Sequence, residues 1–188
     1  MKNKRTLALV LIALFAAIIS VLTIIPIPIN FLGVPMTLQT FAIAFCGFML
    51  GWKLGLASVG IYILLGGIGV PVFSGMQGGF GRLAGPTGGF IYGFLLMVLL
   101  CGLSEYFRRP VLRWVFGILL GTVGLLLCHL CGVFQLSLHR EITFWQAATG
   151  ASIPFLPKDI ASVVLAFALA FVIRKRLHWE ERFLSDMK

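Results

Sequence analysis

Residues 66–93 read GGIGVPVFSGMQGGFGRLAGPTGGFIYG, and the reading of this stretch decides the fold. It lies between two long apolar runs, is dense in glycine, and carries Pro71, Pro86 and a single arginine, Arg82. Glycine permits sharp turns and close approach of other groups. Non-helical backbone near membrane depth survives only where protein or an aqueous cavity surrounds it. The stretch therefore reads as a loop folded inward to form part of a pocket. The competing reading is a solvated linker, for which Phe73, Met76, Phe80 and Leu83 are poor company.

The flanking runs set the class. Of 188 residues, 60% are hydrophobic and 11% charged, against about 25% charged in a soluble domain. Several runs approach or exceed the roughly 18–20 apolar residues that cross a bilayer. The expected fold is all-α: a polytopic membrane protein of six transmembrane helices with an inward-folded glycine-rich outer loop. The whole chain, 1–188, forms one membrane domain, with spans near 7–25, 36–50, 54–70, 87–104, 115–133 and 157–173. No room is left for a soluble catalytic domain.

Residues 7–25 are too long an apolar run for a signal peptide, and no clear small-x-small cleavage site follows. They read as the first span, with Ala13 and Ala17 one turn apart on a small-residue face. Residues 24–37, IIPIPINFLGVPMT, are broken by three prolines and read as irregular backbone packed on protein. Gln39 heads the second span, where it faces either the same cavity or the interface. The third span is short, and short or glycine-interrupted spans point toward binding sites in transporters. Residues 134–152 form the longest polar connection. Within it, 142–151 suit an amphipathic helix on the membrane surface, anchored by Phe144 and Trp145; alternatively Trp145 covers a ligand pocket. Arg174, Lys175 and Arg176 stop the last span, and the tail to Lys188 reads as a short helix.

Charge placement orients the bundle. The N-terminus, Lys53, the turn with Arg108, Arg109 and Arg113, and the C-terminal tail hold 12 of the 15 basic residues. The other side holds Arg82, Arg140 and Lys158. The positive-inside rule places both termini in the cytoplasm of a cell-membrane protein. It also accounts for the formal charge of +9 without nucleic acid.

The chemistry-bearing residues are few. Cys128 and Cys131 flank His129, but without a second ligand pair this is weak evidence for a metal; none is expected, and no cofactor. The histidines, His129, His139 and His178, have no evident partner, and no nucleophile–base set is present. There is no phosphate-binding GxxxxGK[ST] loop, so the chain does not hydrolyse ATP itself. Asp159 opens the sixth span beside Lys158; it either caps the helix start or is an intramembrane functional charge. Arg82 suits either a carboxylate ligand or a structural pair.

The run Gly78–Gly79, Leu83-x-Gly85–Pro86–Thr87–Gly88–Gly89 and Gly93–Phe94 resembles the BioY family, the biotin-specific substrate-binding components of energy-coupling factor transporters. So do Gly69–Val70–Pro71–Val72–Phe73, Val34–Pro35–Met36–Thr37–Leu38–Gln39 and the proline–aspartate start of the last span. The resemblance covers essentially the whole chain. It implies a six-helix bundle with an outward vitamin pocket, served by a membrane coupling protein and a pair of cytosolic ATPases. It implies a ligand site drawing on Gln39, Gly78, Gly79, Arg82, Tyr92 or its neighbours, and Asp159, and a coupling face at Ala13 and Ala17. The ligand, biotin, presents a urea to Asp159, apolar parts to Phe73, Phe80, Phe90 and Trp145, and an acid end to Arg82 or Lys158. The family's usual proline–glycine–aspartate–x–x–lysine pattern is altered here to Pro157–Lys158–Asp159–Ile160–Ala161–Ser162. The alternatives are a self-sufficient secondary transporter of a small carboxylate and a non-transport membrane scaffold.

Overall fold

A computed structural model describes residues 2–25, 27–31, 34–107 and 109–177. The expected helical tail, 178–188, lies outside the described residues. The chain begins with helix α1 (Lys2–Ile24) and a small antiparallel pair, β1 (Ile27–Phe31) and β2 (Val34–Met36). Helices α2 (Gln39–Gly67), α3 (Phe80–Ala84), α4 (Gly88–Leu103), α5 (Pro110–Arg140), α6 (Phe144–Ala151) and α7 (Leu156–Arg176) follow. Five of these helices are long and apolar enough to cross a membrane: α1, α2, α5, α7, and α4 with the 3-10 turn after it.

The six expected spans are nevertheless present, because α2 is a folded hairpin. Gly51 breaks it with φ 74° and ψ 179°. Beyond the break the chain runs back along itself. Gly55 lies against Gly47, Ser58 bonds Cys46, and Gln39 Nε2 donates to Tyr62 Oη at 2.8 Å. In a straight helix positions 39 and 62 would be about 34 Å apart. Gly51 favours glycine because its φ is left-handed, and the Glu105 carboxylate packs against it.

Each helix turns its small or apolar face inward. In α1, Leu11, Phe15, Ala16 and Ile19 join the core, while Leu9, Val10, Leu14 and Val21 face outward. Ser20 and Thr23 hydroxyls donate to the carbonyls of Ala16 and Ile19, 2.8 and 2.7 Å away, and so are buried without cost in unpaired groups. The α4–α5 seam is close-packed: a Cβ on Gly93 would fall 2.6 Å from the Cα of Cys128.

Two expectations are corrected. Residues 27–31 and 34–36 form an antiparallel strand pair rather than irregular backbone, Ile27 with Met36 and Phe31 with Val34. Its prolines are tolerated because a two-stranded sheet has only edges. Helix α5 is longer than the expected 115–133 at both ends. Pro110 starts it at a position where proline is pre-shaped for a helix. At its far end Gln135 pays out its amide to the glycine-rich stretch, donating to Leu83 O and Gly85 O at 3.0 and 2.7 Å. Helix α6 is capped by a reciprocal pair, Thr143 and Gln146.

Candidate functional site

The start of α2, the start of α4, the end of α5 and the start of α7 all meet at one end of the bundle. There β2 and the glycine-rich stretch close over two adjoining lobes, with empty volumes of about 490 Å³ and 460 Å³ including space open to the surface. Val34, Pro35, Gln39, Phe90 and Phe94 wall both lobes.

The first lobe is completed by Phe73, Ser74, Arg82, Thr87 and Ile91. The glycine-rich stretch is folded inward here, as expected. Phe73 and Gln77 pair across a tight turn, Gly79 N–H donates to Gly66 O at 2.7 Å, and Gly75 N–H to Ile24 O at 3.1 Å. Phe73 is buried edge-on against Tyr62, with ring centroids 5.5 Å apart. Ser74 Oγ is buried with no hydrogen-bond partner among the described residues. No acidic group pairs with Arg82 among them.

The second lobe is completed by Thr37, Thr40, Leu125, Cys128, His129, Ala151, Phe155, Lys158 and Asp159. Asp159 is only 3% exposed. Its Oδ1 faces Lys158 Nζ at 2.5 Å and its Oδ2 faces His129 Nε2 at 3.3 Å. Thr40 is a third polar neighbour. Lys158 also donates to Thr37 O at 2.8 Å, which ties α7 to the segment before α2. Oδ1 is enclosed, and its contact with Lys158 is an ion pair rather than an aligned hydrogen bond. A buried, partly satisfied carboxylate of this kind is costly unless something else completes it.

The sequence model of the BioY family matches residues 1–179. The chain belongs to the BioY family. A probable biotin transporter BioY of Pyrococcus horikoshii is 38% identical over 160 residues, covering 85% of this chain and 91% of that protein. The biotin transporter BioY2 of Lactococcus lactis is 36% identical over 188 residues, covering 99% and 100%. Among solved structures, the S-component for biotin from an ECF-type ABC transporter superposes with a TM-score of 0.81 at 28% identity, covering 93% and 94%. This BioY chain is a multi-pass membrane protein, and the relatives named are transporters rather than enzymes.

Of the BioY residues expected at the site, Gln39, Phe73, Arg82, Phe90, Lys158 and Asp159 line the cavity. Four do not. Tyr92 is 43% exposed, because one helical step turns it away from its cavity-lining neighbour Ile91. Trp145 is 72% exposed: α6 buries Ala147, Ala148 and Ala151, so its aromatic face points outward with Phe144. Trp145 lines neither lobe. Gly78 and Gly79 shape the turn without lining the cavity; Gly78 packs on Val70 O and Gly79 has φ 101°. Phe80, at 70% exposure, also faces away.

His129 was passed over as lacking a partner, and that reading is corrected: it is buried between Asp159 and Ser152, with Ser152 Oγ 2.9 Å from its Nδ1. No local pattern announces a contact made across two helices. Thr37, Thr40 and Ser74 were missed as well, although Thr37 and Thr40 bracket Gln39 and carried a positional hint. Cys128 Sγ donates to Phe90 O at 3.4 Å.

Proposed function

We propose that this protein captures biotin at the cavity end of the bundle and delivers it across the cytoplasmic membrane as the S-component of an ECF-type transporter. The single observation that carries the reading is the polarity of the cavity. Asp159 lines one lobe, Arg82 lines the other, and the shared wall between them is Phe90, Phe94, Val34 and Pro35 with one amide, Gln39. Biotin has the same layout: a urea with N–H donors, an apolar bicycle and chain, and a carboxylate. Mostly apolar cavities with a few convergent polar groups select ligands in this way. Lys158 is already committed to Asp159 and Thr37 O. That commitment favours Arg82 for the acid end, with Ser74 Oγ beside it.

In this reading the cavity faces outward and both termini are cytoplasmic. ATP hydrolysis belongs to a pair of cytosolic partner subunits, reached through a membrane coupling protein. Ala13 and Ala17, exposed on the outer face of α1, offer that protein a flat surface. The test is equilibrium binding of labelled biotin to the purified chain in detergent or nanodiscs, with dethiobiotin and lipoate as competitors. Saturable binding, displaced by dethiobiotin more readily than by lipoate, is expected. Ion-gradient-driven uptake into vesicles lacking any ATPase would favour the secondary-transporter alternative, and no saturable binding would favour the scaffold.

A further inference from the structure

Asp159 is held from behind by a chain of contacts that the biotin reading does not use. His129, on α5, is 7% exposed and sits edge-on to Phe90, with ring centroids 5.8 Å apart and planes at 90°. Both ring nitrogens are occupied: Nε2 by Asp159 Oδ2 at 3.3 Å, Nδ1 by Ser152 Oγ at 2.9 Å. The roles follow from the carboxylate. Asp159, paired with Lys158, is ionised and accepts only, so Nε2 carries the proton. In the neutral ring Nδ1 is then the acceptor, and the Ser152 hydroxyl donates to it. Ser152 does not line the cavity. It is 7% exposed in the turn between α6 and α7, where its own N–H donates to Ala148 O at 3.0 Å and its carbonyl accepts from Phe155 N–H at 2.9 Å.

We propose that His129 is a positioning residue for ligand recognition: with its tautomer set by Asp159 and its ring held by Ser152, it fixes the Asp159 carboxylate in the wall of the second lobe, where the ligand's N–H donor meets it. His129 has no hydrogen-bonding capacity left for the ligand, and so acts through Asp159. Oδ2 is held by the ring and Oδ1 by Lys158, so the carboxylate has one orientation in the cavity wall. A carboxylate that rotates freely would share its acceptor capacity among Thr40, Lys158 and water, and would meet the ligand at an entropic disadvantage.

This inference rests on biotin being the ligand, and the experiment separates the two. Biotin affinity and Tm are measured for the purified wild type, His129→Leu, His129→Gln and Ser152→Ala, and for His129→Leu in an Asp159→Asn background. Loss of a hydrogen bond to a charged group corresponds to roughly 10- to 100-fold, so His129→Leu weakens biotin by that factor. His129→Gln, which keeps an N–H donor near the Nε2 position, recovers affinity to within about 3-fold of wild type. Ser152→Ala, outside the cavity, weakens it by about 3- to 10-fold. In the Asp159→Asn background His129→Leu adds less than about 2-fold, the non-additivity expected when one residue acts through another. A wild type that does not bind biotin overturns the transport reading and this inference together. A wild type that binds, with His129→Leu equally tight or with penalties that simply add in the double variant, overturns this inference alone. If His129→Leu fails to fold, Gln rescue and the Ser152→Ala loss decide the matter, and absence of both overturns it.

Discussion

At one end of the bundle Arg174 is 5% exposed; at the other Asp159 is 3% exposed. Both are charges buried in an apolar protein, yet they are completed differently. Arg174 donates to the carbonyls of Phe48 and Met49 at 2.7 and 3.4 Å, and its other terminal nitrogen lies 3.6 Å from Glu105 Oε2. The carbonyls belong to the last turn before the Gly51 break, where a helix end leaves acceptors unpaired. The guanidinium therefore closes a helix terminus, and the same corner holds Gly51 against Glu105. Asp159 has neighbours too, Lys158 and His129, but it stands in the wall of a cavity. A buried charge that answers the carbonyls of a helix end reads as structure. One set in the wall of a cavity reads as a binding site.

The difference can be broken from either side. The largest effect belongs to Arg174→Leu, which leaves Glu105 and two carbonyls unanswered. Losing one partner of a buried pair costs about 3–5 kcal/mol, seen as a Tm lower by roughly 10 °C in thermal unfolding. The folded fraction should keep its biotin affinity within about 2-fold, because the residue lines neither lobe. A well-folded variant with abolished binding would show that the two ends are not separable. Asp159→Asn reverses the pattern: biotin binding weakens by about 100-fold, the scale of a hydrogen bond to a charge, while Tm shifts little. Unchanged affinity removes Asp159 from the site. Arg82→Gln sharpens the contrast within the cavity. Binding of biotin falls by about 10-fold, and binding of the uncharged biotin amide by less than about 2-fold; equal losses assign Arg82 a structural role.

What the sequence made legible follows from which forces act locally. The bilayer acts on composition, so the spans, the inward glycine-rich stretch, Arg82 and Asp159 stand out in one dimension. The turn between the spans 36–50 and 54–70 was legible too, and the positive φ of Gly51 shows which residue makes it. The phase of α4 about its axis was not readable, which is why Tyr92 was expected where Ile91 sits. His129 lies 23 and 30 residues from the groups that define its role. Such a contact exists only after α5 and α7 have packed. The strand pair was hidden because its prolines argue against a strand in any sheet with an interior.

The first leg of α2, from Gln39 to Leu50, runs through the middle of the bundle with most of its residues buried. It rises roughly 18 Å, well short of a ~30 Å hydrocarbon layer, while α1 and α5 beside it are far longer. The hollow is the volume this inner rod does not reach, and Gln39 and Thr40 are its floor. Depth is therefore metered by where one helix begins. Each residue added ahead of Gln39 as helix would raise the floor by about 1.5 Å, and the starting point of that rod works as a gauge for how large a cargo can be seated.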